Sequence, residues 1–428
     1  MSKQNLTIEV DADGIAVATW DIDGKSMNVI DDGFMDELDA LINQVAGNEA
    51  IKGAIIASGK KAFCAGADLA FMEASAKRYA TTLARDGELA ATKEVHENSS
   101  RLSRQLRRLE TCGKPFVAAI NGTALGGGFE ICLACHYRVA ADNPSTKLGL
   151  PESKVGLLPG GGGTQRLPRL VGAQDALMLM LEGRHIDVAK AAKLGAIHKV
   201  VPGDDLISEA KRWLLQEPTA TQPWDDKKFR APGGAVYSPQ GMMLWPAANA
   251  LYRKKTYDNY DAQRAIMKCV YEGLTVKTID AGLDIEARYF TSLFKGPQSR
   301  NMIRSLFLSM QALGKGARRP ADVDDQSVKK LGIVGAGFMG AGIAYVSARA
   351  GLEVVLLDRD QAGADKGKSY SAGLMDKAIS RGKASEADKQ ALLGQITATA
   401  DYGALKGCDL VIEAVFENRE LKSSVLPE

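Results

Sequence analysis

Two glutamates stand beside glycine-rich turns in this 428-residue chain. Glu130 closes Asn121-Gly-Thr-Ala-Leu-Gly-Gly-Gly-Phe-Glu130. Glu152 lies in Gly149-Leu-Pro-Glu152, shortly before Leu158-Pro-Gly-Gly-Gly-Gly-Thr164. Glycines between a strand and a helix let backbone approach a ligand closely and leave N–H groups at a helix N-terminus facing a negative oxygen. A carboxylate pair beside such donors suits general acid–base chemistry. One glycine run alone also reads as a tight turn, with Glu130 favoured there by the helix dipole. The pairing of two runs with two carboxylates argues for a site. A second constellation is Leu331-Gly-Ile-Val-Gly-Ala-Gly-Phe-Met-Gly340, an apolar strand entering G-x-G-x-x-G at Gly335, Gly337 and Gly340. A helix then runs to about Ala350, and a strand ends at Asp358, 23 residues beyond Gly335. An acid at roughly 20 residues' spacing is what holds an adenosine ribose, and it favours NAD over NADP.

The elements that position these residues alternate. Leu6 to Val10 and Ile15 to Trp20 read as strands about the turn Asp11-Ala-Asp-Gly14. A helix is expected from about Asp31, with Phe34, Leu38, Leu41, Ile42 and Val45 on one face. Gly53 to Ala57 and Phe116 to Ile120 read as buried strands, residues 70 to 110 as helical, and a further helix starts near Phe129. Alternation to about Val201 means α/β. From Pro202 to about Gly314 the texture is mostly helical, and Lys315-Gly-Ala-Arg-Arg-Pro-Ala-Asp-Val-Asp-Asp325 reads as a linker. The expected organisation is therefore a core at 1–202, a helical region at 203–314, a linker at 315–327 and a dinucleotide-binding unit at 328–428.

Composition agrees with a soluble globular protein: 45% hydrophobic and 25% charged residues, with 54 basic against 52 acidic side chains for a net charge of +2. That balance argues against a large nucleic-acid footprint or a polybasic membrane surface. No apolar run reaches the roughly eighteen residues of a membrane span. The start, Met1-Ser-Lys-Gln-Asn-Leu6, lacks the pattern of a secretory leader, and six cysteines make no disulfide framework. A cytoplasmic location is expected.

Four ordered motifs over about residues 5 to 200 resemble the enoyl-CoA hydratase (crotonase) superfamily: Lys61-Ala-Phe-Cys-Ala-Gly-Ala-Asp-Leu69, Lys114-Pro-Phe-Val-Ala-Ala-Ile-Asn-Gly122, Ala124-Leu-Gly-Gly-Gly-Phe-Glu130 and Leu158-Pro-Gly-Gly-Gly-Gly-Thr-Gln-Arg166. The resemblance implies a crotonase-type spiral domain that acts on coenzyme A thioesters. It also implies an oxyanion hole from the backbone N–H groups of Ala67 and Gly127, with Gly66, Asp68 and Gly126 lining the substrate. Glu130 then matches the residue that activates water, and Glu152 the one that protonates C2. Relatives that are isomerases or hydrolases often lack one of the pair, so both together favour a hydratase.

Residues 328 to 428 resemble the NAD-binding domain of 3-hydroxyacyl-CoA dehydrogenases, through Gly335-Ala-Gly-Phe-Met-Gly-Ala-Gly-Ile343 and Asp409-Leu-Val-Ile-Glu-Ala-Val-Phe-Glu-Asn418. That resemblance adds Phe338, Met339, Val415, Phe416, Glu417 and Lys422 to the cofactor-lining set. The order of parts resembles the multifunctional enzymes of fatty-acid oxidation, which implies a thiolase β subunit as partner in a heterotetramer. His96, His136, His185 and His198 are the only histidines. The family's hydroxyl-oxidising His–Glu pair lies beyond the equivalent of residue 428. A full doubly wound domain has about six strands, and about four are expected here, so the chain reads as a shortened form that hydrates without oxidising.

Other signals read more plainly. Cys132-Leu-Ala-Cys135 lies on an apolar helix and reads as packing, with no metal expected. Arg101, Arg104, Arg107 and Arg108 share one helical face and read as a solvated surface, or as a contact for coenzyme A phosphates or a partner subunit. His136 reads as a core or rim residue. Met242, Met243 and Trp245 suit either an acyl tunnel or core packing. The competing functions are a Δ3,Δ2-enoyl-CoA isomerase or an acyl-CoA hydrolase on the same scaffold, and a silent or RNA-binding scaffold that docks a thiolase subunit.

Overall fold

Continuous apolar runs such as Gly53–Ser58 and Phe116–Ile120 are what strands buried on both faces require. A computed structural model of the chain describes residues 5–324 and 327–425, apart from the side chains of Leu69 and Ala70. Residues 1–4, on which the leader expectation partly rests, and 325–326 of the expected linker lie outside the described residues. The chain divides into two units, Met1–Ala317 and Arg318–Glu428.

In the first unit, β1 (Leu6–Val10) and β2 (Ile15–Trp20) form an antiparallel hairpin. β3 (Gly53–Ser58), β4 (Phe116–Ile120), β6 (Tyr137–Ala141) and β8 (Lys199–Val201) add to it in parallel, in the order β1-β2-β3-β4-β6-β8. Two short strands, β5 (Ala124–Leu125) and β7 (Leu148–Gly149), pair in parallel and carry the turns that precede Glu130 and Glu152. The helix Asp32–Gly47 is capped by the Asp31 side chain and buries Phe34, Leu38, Leu41, Ile42 and Val45. One continuous core joins Leu133 and Leu150 of the strand-rich part to Ile266, Val270 and Ile285 of the helices that follow.

Two boundaries differ from expectation. The helical stretch 70–110 is two helices, Leu69–Ser99 and Arg101–Thr111, and Gly87 inside the first has φ +83, outside the helical range. The helix expected from Phe129 starts at Gly127. A methyl on Gly128 would lie 2.5 Å from Cys64 Cβ, so the glycines let this helix begin inside a tightly packed turn.

The second unit is a parallel sheet of β9 (Lys330–Val334), β10 (Glu353–Leu357), β11 (Ile396–Thr399) and β12 (Leu410–Glu413), ordered β11-β10-β9-β12. By rank in the chain that is 3-2-1-4, the first part of the doubly wound order. Edge strand β12 leaves Leu410 and Val411 about half exposed, at 48% and 47%. Among the described residues no helix is long and apolar enough to cross a membrane.

Candidate active site

The first unit holds a cavity of about 520 Å³, whose lining includes Gly66, Ala67, Gly126, Gly127, Glu130 and Glu152. Four chain segments converge there. Gly126 has φ +54, a conformation that excludes most side chains. A methyl on it would sit 3.0 Å from Glu152 Oε1 and 3.7 Å from Gly66 Cα. The turn is thus built for close approach of backbone to a carboxylate and to the neighbouring loop. Among the described residues the N–H groups of Ala67 and Gly127 have no acceptor, which leaves both able to donate to an oxygen in the cavity.

Glu130, in the first turn of the helix Gly127–Ala134, is buried. The N–H groups of Gly161 and Gly163 each donate to its Oε1 at 2.7 Å. Burial pushes its carboxyl up to about 7, against the lowering effect of those two donors and of Arg166. Glu152 opens the single turn Glu152–Val155, and its Oε2 is buried with no hydrogen-bond partner. Burial first, then the charge of Glu130, holds Glu152 well above the usual carboxylate range. Two carboxyls therefore share one cavity, both raised by burial, and the environment separates them: two backbone donors favour ionised Glu130, while Glu152 Oε2 has no donor.

The glycine run Gly160–Gly163 is a strap between two acids. Gly162 N–H donates to Glu286 Oε1 at 2.6 Å and Thr164 N–H to Glu286 Oε2 at 3.0 Å, while the alternating amides of Gly161 and Gly163 serve Glu130. Gly162 has φ +100, and a methyl there would meet Arg166 Nη1 at 1.7 Å. Arg166 donates to Gly161 O at 2.6 Å and pairs with Glu110 at 2.6 Å, all fully buried. Glu286 is a site residue the sequence reading missed. Its signal was present: on the helix Ile279–Lys295 it falls in register with Ile279, Leu283 and Phe290, an acid on an apolar stripe. Phe290 and Phe294 of that helix, with Phe307, also line the cavity and were missed.

Several other residues have structural roles. Met242 and Met243 are 66% and 77% exposed, and the cavity is lined by neither of them nor by Trp245, so the acyl-tunnel expectation for these three is corrected. Helix Pro239–Thr256 directs them elsewhere. Arg101 pairs with Asp36, Arg108 with Asp39, and Arg107 with Asp225 and Asp280, so these arginines tie helices together. The thiols of Cys132 and Cys135 are buried, and burial pushes Cys135 up to about 12. His136 is buried, accepts the Phe116 N–H at 3.1 Å, and is held below its usual value by burial.

In the second unit the expected dinucleotide residues gather at the C-terminal ends of β9, β10 and β12. A methyl on Gly335 would meet Ala414 O at 2.7 Å, and one on Gly340 would meet Gly335 O at 1.7 Å, so both glycines are demanded by the fold itself. Gly337 is different: a methyl there meets nothing within 4 Å. Its openness at the start of the helix Phe338–Arg349, whose first turn carries no acid, fits a pyrophosphate. Asp358 Oδ2 accepts the Ala336 N–H at 2.8 Å, which puts the acid against the glycine turn. Val415 N–H donates to Glu413, and Lys422 pairs with Glu413 at 3.1 Å and Glu417 at 2.8 Å. Phe338, Met339 and Phe416 are exposed at this edge.

Comparison with known proteins matches each of the two units to a family model. The family model for Enoyl-CoA hydratase/isomerase matches residues 12–223, and that for the 3-hydroxyacyl-CoA dehydrogenase NAD binding domain matches residues 330–428. A fatty acid oxidation complex subunit alpha from Idiomarina loihiensis is 36% identical over 99% of this chain and 58% of its own length. One from Shewanella amazonensis is 35% identical over 97% of this chain and 56% of its own. The chain thus spans a little over half the length of these relatives. An enoyl-CoA hydratase structure from Bacillus halodurans is 21% identical, with a TM-score of 0.49, covering 70% of this chain and 99% of its own.

Proposed function

We propose that this chain, whose residues 12–223 match the enoyl-CoA hydratase/isomerase family model and whose residues 330–428 match that of the 3-hydroxyacyl-CoA dehydrogenase NAD binding domain, adds water to trans-2-enoyl-CoA thioesters to give 3-hydroxyacyl-CoA. The observation that carries the reading is the pair of carboxyls, Glu130 buried and Glu152 half-buried, lining one cavity with two backbone N–H groups that have no acceptor among the described residues.

In the proposed reaction the thioester oxygen accepts hydrogen bonds from the N–H groups of Ala67 and Gly127, which stabilise negative charge as it develops there. Gly66 and Gly126 shape the same wall, and Asp68, outside that lining, pairs with Lys25 at 2.6 Å beside the loop. Glu130, ionised, takes a proton from water as the oxygen bonds to C3. Glu152, protonated, delivers its proton to C2, so one H and one OH add across the double bond. The glutamates then exchange protons through solvent before the next turnover. The apolar far wall, with Phe290 and Phe294, receives the acyl chain.

The residues of the second unit fit a dinucleotide. Gly335, Gly337 and Gly340 would hold the pyrophosphate, Asp358 the adenosine ribose, and Phe338, Met339, Val415, Phe416, Glu417 and Lys422 the remaining wall. Bound NAD supplies a hydride acceptor. All four histidines precede residue 199, so these 428 residues bring no imidazole to that acceptor from within the second unit. The proposal assigns hydration to the first unit. It also includes a cytoplasmic location and a thiolase-type partner subunit, in line with the relatives' description as a subunit of a complex.

The test is the loss of conjugated-thioester absorbance when the chain meets crotonyl-CoA. Turnover supports the reading, and a folded chain inert toward crotonyl-CoA and longer enoyl thioesters contradicts it.

A further inference from the structure

Glu130 is held by a loop that a second acid holds from the other side. The four consecutive amides of residues 161–164 alternate: those of Gly161 and Gly163 go to Glu130 Oε1, and those of Gly162 and Thr164 to the two oxygens of Glu286. The Thr164 hydroxyl also bonds Glu286 Oε2 and faces Cys269 Sγ at 3.1 Å. A side-chain methyl at Gly161 or Gly163 would lie 2.9 or 2.8 Å from a Glu130 carboxyl oxygen, and one at Gly160 would lie 2.7 Å from the Phe290 ring. The loop has no room to shift toward either side. Glu286 is fully buried and comes from the helix Ile279–Lys295, outside the matched residues 12–223. Such burial of an acid is costly, and a core-facing leucine would suit the apolar stripe better. Its position therefore calls for an explanation beyond packing.

We propose that Glu286 is a positioning residue for hydration, fixing Glu130 through the amide strap they share so that the helical segment beyond residue 223 completes the active site. This rests on the hydratase reading. Glu286 touches the strap and leaves the substrate to Glu130 and Glu152. The charged and titratable groups that bear on it are Glu130, Arg166 and Cys269, and it in turn acts on Glu152. Removing Glu286 frees the amides of Gly162 and Thr164, the strap relaxes, and Glu130 loses its fixed Oε1 contacts. Substrate binding, made largely by other walls, is spared.

The test is a double-mutant cycle on crotonyl-CoA turnover, using Glu286→Gln, Glu286→Leu and Glu130→Gln in the full chain. With Glu130 intact, Glu286→Gln is expected to lower kcat about tenfold and Glu286→Leu about a hundredfold, with KM changed less than about threefold. In the Glu130→Gln background, Glu286→Gln is expected to cost less than about twofold, because the group it positions has gone. An equal loss in both backgrounds, or no loss in the first, overturns the proposal. Glu286→Gln decides the matter if Glu286→Leu fails to fold. Inactivity of the parent chain sinks the hydratase reading separately. The link is then read from the carboxyl carbon resonance of Glu130 against pH, where a titration curve unchanged by Glu286→Gln overturns it.

Discussion

Glu130 and Glu152 have the same side chain and opposite assignments, and environment alone separates them. Glu130 accepts two backbone N–H groups on one oxygen, and this offsets part of the cost of ionising a buried carboxyl. Glu152 has an unpartnered buried oxygen and faces the charge of Glu130, so it keeps its proton. The first prediction is that Glu130→Gln and Glu152→Gln each lower kcat by about 10²–10⁴-fold, the usual span for a general acid or base, with little change in KM. The pH profile has a sign. The base works ionised, so kcat/KM should fall as pH drops through about 7. Stability runs the other way. A carboxyl raised in the folded state contributes stability that is fully present below its unfolded value and lost as pH rises through the folded one. For Glu130 and Glu286 that loss falls between the ordinary carboxylate range and about 7 to 8. Glu152→Gln, which deletes a carboxyl with no partner for one oxygen, should therefore match the parent's Tm near pH 4, below the unfolded value. By pH 8 it should exceed it, by about 2–4 °C if the gain is about 1 kcal/mol. Thermal melts at the two pH values check this.

At the scale of elements, glycine made the site legible. Runs such as Gly126-Gly-Gly128 and Gly160-Gly-Gly-Gly163 mark places where a side chain would strike a carboxylate, a guanidinium or a ring, and the sequence displays that demand directly. Gly162→Ala should put a methyl into Arg166 at a left-handed φ, lowering stability by about 2–3 kcal/mol and disturbing the strap. Gly337→Ala separates folding from binding. Its methyl enters open space, so the Tm of the second unit should hold, while affinity for NAD falls at least about tenfold because the pyrophosphate can no longer reach the backbone. Calorimetric titration with NAD reads the difference. Glu286, Phe290 and Phe294 were not legible in the same way. They reach the cavity because one helix docks its apolar stripe there, and sequence periodicity reports a stripe without reporting what it meets. The helix starting two residues early, at Gly127, has the same origin, since the packing of Gly127 against Ile30 and of Gly128 against Cys64 is long-range.

At the scale of the whole molecule, the alternation of strands and helices to Val201 and the strand–turn–helix–strand run from Leu331 to Asp358 disclosed the fold class and the dinucleotide turn. The antiparallel hairpin at one edge of the six-stranded sheet and the 3-2-1-4 order of the second sheet follow from the connections between strands. Each unit carries its own site. The prediction at this scale is independence of chemistry: hydration of an enoyl thioester should proceed at the same rate with and without NAD, which the loss of conjugated-thioester absorbance checks. The most direct test of the central claim is the kcat for crotonyl-CoA hydration by the parent chain beside Glu130→Gln and Glu152→Gln, each confirmed as folded. The account predicts brisk turnover in the parent and a loss of at least about a hundredfold in both variants. Turnover that survives either substitution largely intact would contradict it, because a mechanism needing only one carboxyl would then be at work.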